Sequence, residues 1–285
     1  SVIIFGFRAA VIILTTVASC ILSEYISRRV MKRRQTVGDL SCVVTGVLLA
    51  MNLPVSISPI IAAFGGVIAI VVVKQMFGGI GQNFVNPALT ARIILMNSFP
   101  AKMTAWTAPM DHSFSDAMTT ATPLGVLSEG TGAALPSYLD MFLGNTGGCL
   151  GETCALALIL GGIYLVARRV ISPVIPLIYI GTVFVFTFLF GGFNLTYSLS
   201  EICAGGLIFG AFFMATDYVT SPITAKGQIV FGICLGILTG LFRIFGSGAE
   251  GVSYAIIFCN MLVPLIEKVT LPTAFGKGGK KNGSK

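Results

Sequence analysis

Apolar residues fill nine stretches of the chain, at about residues 2–22, 40–53, 57–77, 83–99, 153–167, 173–191, 198–214, 226–245 and 250–268. A helix needs ~20 such residues to cross a bilayer. The pattern therefore predicts an all-α polytopic membrane protein. The second stretch is too short to cross alone, and Pro54 and Pro59 follow it. It reads as a broken or half-length helix, which membranes tolerate only where protein or a cavity covers its ends.

Charge sets the orientation of these spans. "SRRVMKRR" (Ser27–Arg34) holds five basic residues, and such runs stay on the cytoplasmic side. Alternating from there, Arg168-Arg169 and the tail "GKGGKKNGSK" also fall inside. The predicted organisation is a first membrane repeat over 1–99, an extracytoplasmic loop over 100–152, a second membrane repeat over 153–269 and a basic cytoplasmic tail over 270–285.

Composition agrees. The chain is 55% hydrophobic and 10% charged, with a mean hydropathy of +0.91. Soluble domains carry roughly 25% charged residues, so lipid is the solvent partner. The net charge of +7 comes from basic residues at the ends of apolar runs, and no nucleic-acid partner is implied. Seven cysteines form no CxxC, and the single histidine is His112. Neither a zinc site nor a disulfide framework is expected, although a cluster shared with another subunit through Cys42 or Cys203 stays open.

The second half echoes the first. An offset of 168 residues relates Pro54 to Pro222 and Phe77-Gly78 to Phe245-Gly246, and it carries 5–23 onto 173–191, 58–77 onto 226–245 and 82–100 onto 250–268. Segment 153–167 maps to positions before Ser1. The expectation is two repeats of about five helices, the first helix absent from this chain and ten in the full protein. An odd number per copy makes the repeats inverted in the membrane, an arrangement that places sites at the repeat interface. Corresponding interruptions point to such sites: "MNLPVS" (Met51–Ser56) with "VTSPIT" (Val219–Thr224), and "MFGGIGQNFVNPA" (Met76–Ala88) with "IFGSGAEGVSYAI" (Ile244–Ile256).

Several motifs have bland readings. "GSGAEG" (Gly246–Gly251) fits GxGxxG but follows a membrane helix rather than a strand, so it reads as a tight turn and not a dinucleotide site. Water channels carry a paired "NPA"; here Asn86–Ala88 has Tyr254-Ala255-Ile256 at the second position. Gly232, Gly236 and Gly240 form a small-residue stripe that lets helices approach. Among charges in or near spans, Lys74 and Glu201 sit close enough to span ends to snorkel. Arg92 and Arg243 lie further from help and are candidate cationic partners for a cofactor. Asp217 is a candidate ion ligand or helix cap.

The stretch "SDAMTTATPLG" (Ser115–Gly125) stands apart, polar in an apolar chain. By itself it is an Asp/Thr-rich turn or cap. Three separated motifs change that. Asp116…Thr119-Thr120-Ala121-Thr122, "GQNFVNPALTARIILMNSFPAKMTAW" (Gly81–Trp106) and "FMATDYVTSP" (Phe213–Pro222) occur in one order. In these the chain resembles the NqrB/RnfD family, which includes the RnfD component of the Rnf complex and the NqrB component of the sodium-pumping quinone reductase. Thr120 stands where that pattern has glycine, and Tyr218 where it has proline. The SFPxxMTxW stretch and the length are nearer to the Rnf branch.

The resemblance implies FMN joined through its phosphate to Thr122 as a phosphoester, with Asp116, Thr119, Thr120 and Ala121 as recognition context for a flavin transferase. Thr122 would be exposed, and Pro123 would hold the preceding residue extended. It implies electron transport between ferredoxin and NAD coupled to Na+ or H+ movement, the other Rnf components (RnfA, RnfB, RnfC, RnfE and RnfG) as partners, and the cell membrane as location. A second, non-covalent flavin is open: the paired breaks near Asn52–Pro54 and Thr220–Pro222 shape its pocket or a pathway, and Asn86, Arg92 and Arg243 are candidate cofactor contacts. The competing reading is a small-solute or ion channel with an inverted repeat and no cofactor.

Overall fold

A computed structural model describes residues 1–107, 122–125, 137–246 and 251–272. The nine apolar stretches form ten helices, the seventh stretch being two. In chain order they are α1 (Phe7–Val30), α2 (Ser41–Met51), α3 (Pro59–Gln75), α4 (Pro87–Ser98), α5 (Ala155–Ala167), α6 (Val174–Phe190), α7 (Leu195–Cys203), α8 (Leu207–Met214), α9 (Ala225–Phe245) and α10 (Gly251–Thr270). A short turn, Val2–Phe5, precedes α1. Among the described residues, three helices, α1, α9 and α10, are long and apolar enough to cross a membrane alone. At 24 residues, α1 spans about 36 Å at 1.5 Å per residue.

The predicted single span 198–214 is instead two helices, α7 and α8, bent by 63°. The break falls at Ala204-Gly205-Gly206, where Gly205 has φ +67°, a conformation that costs other residues ~1–2 kcal/mol. The short second stretch is, as predicted, a short helix, α2, and it ends before Asn52. The last turns of α3 (Ile68–Gln75) and of α8 (Gly210–Met214) widen into π-helix, a form that often marks functional positions.

Helices related by the 168-residue offset run in opposite directions. Helix α1 starts at the end of the bundle where Arg8 donates to Ser56 O (2.7 Å) and ends beside Lys74. Its counterpart α6 follows Val170 and Ile171, which line a cavity shared with Lys74, and ends at the opposite end of the bundle. Helix α3 ends near Lys74, whereas α9 ends with Arg243 against the α7–α8 break. One polar contact is repeated by the same offset: Arg92 Nη1 donates to Asn52 Oδ1 (2.6 Å), and Asn260, with its amide turned to suit its neighbours, donates to Thr220 O (3.1 Å).

The glycine stripe packs α9 onto α6. A Cβ on Gly232 would lie 3.0 Å from Ile178 Cγ2, and one on Gly236 2.6 Å from Thr182 Cγ2. Tyr179 and Thr239 share a buried 2.7 Å hydrogen bond across the same seam. One apolar core, including Ile12, Leu49, Leu95, Phe231 and Ile256, runs through both halves. Outward faces carry Leu14, Ile60, Leu177 and Leu265 exposed, as lipid-facing surfaces do.

Candidate functional site

Two polar regions lie at opposite ends of the bundle. The first is built on α4. Asn86 caps this helix, its Oδ1 accepting from Ala88 N (3.0 Å) and Leu89 N (3.2 Å), with Pro87 at the first helical position; both choices suit a helix start. Arg92, further along α4, is 5% exposed. Its Nη1 donates to Asn52 Oδ1 (2.6 Å) and Glu152 Oε1 (3.0 Å), and its Nη2 reaches Cys149 Sγ (3.4 Å). The end of the half-helix α2 thus supplies one partner and the approach to α5 the other.

Arg92 and Glu152 form part of a cleft with about 450 Å³ of empty space, which Thr122, Trp106, Gly147, Gly148 and Gly205 also line. Thr122 is half-buried there. Its Oγ1 accepts the Gly125 N–H (3.1 Å), closing one helical turn over Pro123–Gly125. Gly205 closes the far wall, where an added Cβ would lie 3.3 Å from Leu124 Cδ2 and 3.6 Å from Arg243 Nη2. A narrower pocket of about 260 Å³ continues inward, again lined by Arg92 and Glu152, with Asn52, Met214 and Ser253.

Arg243 stands behind that wall rather than in the cleft. It donates to Glu201 Oε2 (3.0 Å), the Glu201 carbonyl and Ala204 O (3.1 Å). The expectation that Arg92 and Arg243 lie far from help is therefore corrected: each has a carboxylate partner from a distant segment. Snorkelling by Lys74 and Glu201 is corrected too. Lys74 Nζ lies 2.7 Å from Glu24 Oε2, with side chains 4% and 0% exposed, and Glu201 pairs with Arg243 at 2% and 1%. A charge left unpaired there would be costly.

At the opposite end a cavity with 1530 Å³ of empty space opens between α2, the α3–α4 turn and α8, lined by Lys74, Asn83, Asn86, Thr216 and Asp217. Asn86 Nδ2 donates to Met214 O (3.3 Å), and its backbone N–H reaches the Asn260 amide oxygen (3.1 Å). Asp217 accepts from Thr220 Oγ1 (3.1 Å), and burial pushes its carboxyl above the usual range.

Of the residues singled out in the sequence, Thr122 and Arg92 meet in one cleft, and Asn86 caps the start of the helix that carries Arg92. Asp116, Thr119, Thr120 and Ala121 lie outside the described residues, as do His112 and most of the GxGxxG turn. Glu152, Trp106 and Gly205 join the site without having been singled out, and Asn52 joins it from one of the paired breaks. Asn52 had a signal, since it sits in the interruption paired with Thr220. Glu152 had none, because a lone carboxylate before a span looks like a solvated end. No group of three or more potential metal ligands occurs among the described residues.

Crossing helices, half-helices that end inside the bundle and polar clefts at those ends define a polytopic helical membrane protein with its sites at helix breaks. The chain belongs to the NQR2, RnfD, RnfE family, whose model matches residues 1–276. It is 46% identical over 275 residues, covering 96% of this chain and 84% of the relative, to the D component of the Na(+)-translocating ferredoxin:NAD(+) oxidoreductase complex of Acetobacterium woodii. It is 43% identical over 283 residues (95% and 85%) to the D component of the proton-translocating ferredoxin:NAD(+) oxidoreductase complex of Clostridium ljungdahlii. To the D component of the ion-translocating oxidoreductase complex of Stutzerimonas stutzeri it is 35% identical over 321 residues (97% and 87%).

Proposed function

We propose that this chain is the RnfD-type membrane component of an ion-translocating ferredoxin:NAD oxidoreductase, and that it carries electrons through an FMN esterified to Thr122. The observation behind this reading is that Thr122 shares one cleft with the buried cation Arg92.

The residues present fit such a group. The Thr122 oxygen accepts the Gly125 N–H through a lone pair, so the hydroxyl proton that an ester would replace is not used. Arg92 brings guanidinium N–H donors to the cleft, its charge balanced by Glu152, and Glu152 and Asn52 hold it in place. Glycines at 147, 148 and 205 let backbone approach a flat ring. Bound FMN supplies one- and two-electron chemistry; the chain holds it, orients it and shields it from water. Asp116 and Thr119–Ala121 then serve recognition by the transferase.

The larger cavity is the place for a second, non-covalent flavin, with Asn83, Asn86 and Lys74 as polar contacts. Asp217 lines the same cavity and is the candidate ligand for a coupled Na+ or H+. The antiparallel course of offset-related helices supports an inverted repeat with both sites between the copies. The chain works with the other Rnf components in the cell membrane, with Thr122 on the extracytoplasmic side.

The test is a denaturing gel of the full-length protein expressed with its flavin transferase. Flavin fluorescence that moves with the band and is lost in Thr122→Ala supports the reading. A dark wild-type band refutes it and returns the solute-channel reading. Asp217→Asn with coupled ion transport unchanged refutes the ion role.

A further inference from the structure

Among the described residues, the cleft that joins Thr122 to Arg92 has one aromatic lining residue, Trp106, and it is the sole tryptophan of the chain. We propose that Trp106 is the ring-contacting residue of this site: its indole packs against the isoalloxazine of the flavin tethered at Thr122. The proposal rests on the Thr122 reading and adds to it the residue that fixes the ring.

The chemistry of the two parts differs. The phosphate of FMN calls for hydrogen-bond donors, which the Arg92 guanidinium supplies beside its partner Glu152. The fused ring system calls for a flat apolar surface. Among the described residues that line the cleft, Arg92, Glu152 and the threonines are charged or polar, the glycines offer only backbone, and Pro123, Leu124, Cys203 and Ala204 are apolar but not flat. Trp106 alone presents a broad π face, and aromatic pairs gain more than their buried area when offset-stacked. Stacking a nitrogenous ring on an aromatic side chain is a strong contact in nucleotide sites as well.

The simpler role for a tryptophan near a span end is an anchor at the lipid headgroups. Two observations favour the ligand role. Trp106 is only half-exposed, and it lines a polar cleft that also holds a buried ion pair. The segment carrying it is also fixed: Ser56 Oγ donates to Ala105 O (2.5 Å), which ties the residue before Trp106 to the α2–α3 interruption.

The test uses full-length protein expressed with its flavin transferase and compares wild type with Trp106→Phe and Trp106→Leu. A denaturing gel first measures covalent flavin. In the folded protein, contact with indole quenches flavin emission by electron transfer, so wild type is expected to show a short-lived emission component. Trp106→Leu loses that component and its emission rises several-fold, while Trp106→Phe keeps the ring's position, read as flavin circular dichroism near that of wild type. A role in folding alone would lower covalent loading in both variants without changing the emission per flavin, and that outcome overturns the proposal.

Wild-type protein supplies a check that needs no Trp106 variant. Unfolding it in denaturant should abolish the short-lived component while the flavin stays attached. A fluorescent band whose emission lifetime is the same folded and unfolded, or the same in wild type and Trp106→Leu, overturns the Trp106 proposal and leaves Thr122 standing. A dark wild-type band overturns both.

Discussion

Arg92 and Glu152 are brought together from opposite sides of the long loop: Nη1 lies 3.0 Å from Oε1, with side chains 6% and 11% exposed. The pair fixes the guanidinium at the junction of the Thr122 cleft and the inner pocket. Removing one member of a buried pair leaves the other charge uncompensated, at a cost of about 3–5 kcal/mol. Arg92→Leu is expected to lower the thermal midpoint in detergent strongly. Arg92→Leu combined with Glu152→Leu should recover much of the loss. A double variant as unstable as the sum of the singles would show that the pair is not coupled.

The Glu24–Lys74 pair makes a parallel prediction at the other end. Lys74 also donates to Ser41 Oγ (2.6 Å), and Glu24 accepts from Thr36 (2.6 Å). Lys74→Met should therefore destabilise on the same ~3–5 kcal/mol scale. If Lys74 merely snorkelled, the substitution would be close to neutral in thermal unfolding.

Helix packing gives a graded test. Ala at 236 would press its Cβ to 2.6 Å from Thr182 Cγ2, whereas a Cβ at Gly181 on the facing helix meets nothing within 4 Å. Gly236→Ala should cost about 1–3 kcal/mol by overpacking. Gly181→Ala should be neutral or stabilising by up to about 1 kcal/mol, the helix-propensity difference. Equal midpoints for the two variants would contradict the α6–α9 seam.

Asp217 predicts a pH dependence. Desolvation raises its carboxyl above the ordinary 3.8, with Thr220 and Val219 pulling the other way. A raised acid binds its proton more tightly when folded, so its contribution to stability is present below the ordinary value and is lost as pH rises through the folded one. Wild type should lose stability relative to Asp217→Asn as the pH rises above about 4. If the residue binds the coupled cation, Na+ should raise the wild-type midpoint at about pH 7 by mass action and leave Asp217→Asn unmoved.

The helical character of the apolar stretches and the short second helix were legible because apolar length and proline are local signals. The α7–α8 break was not, since Ala204-Gly205-Gly206 sits inside an unbroken apolar run and only the pinch between Leu124, Glu152 and Arg243 shows why glycine is needed. The cleft was half legible. Thr122 and Arg92 were found from motif and charge. Their meeting was not, because it depends on how α4 packs against the returning segment at Glu152. Charge pairs were misjudged for the same reason: Glu24 and Lys74 are 50 residues apart, and no periodicity links them.

The central claim is that Thr122 carries flavin beside Arg92. Full-length protein expressed with the transferase should be digested and the peptide containing Thr122 sequenced by tandem mass spectrometry. The account predicts an FMN-sized addition through phosphate on Thr122 itself, absent in Thr122→Ala. An unmodified Thr122 peptide, or flavin on Thr119 or Thr120 with Thr122 bare, would contradict it.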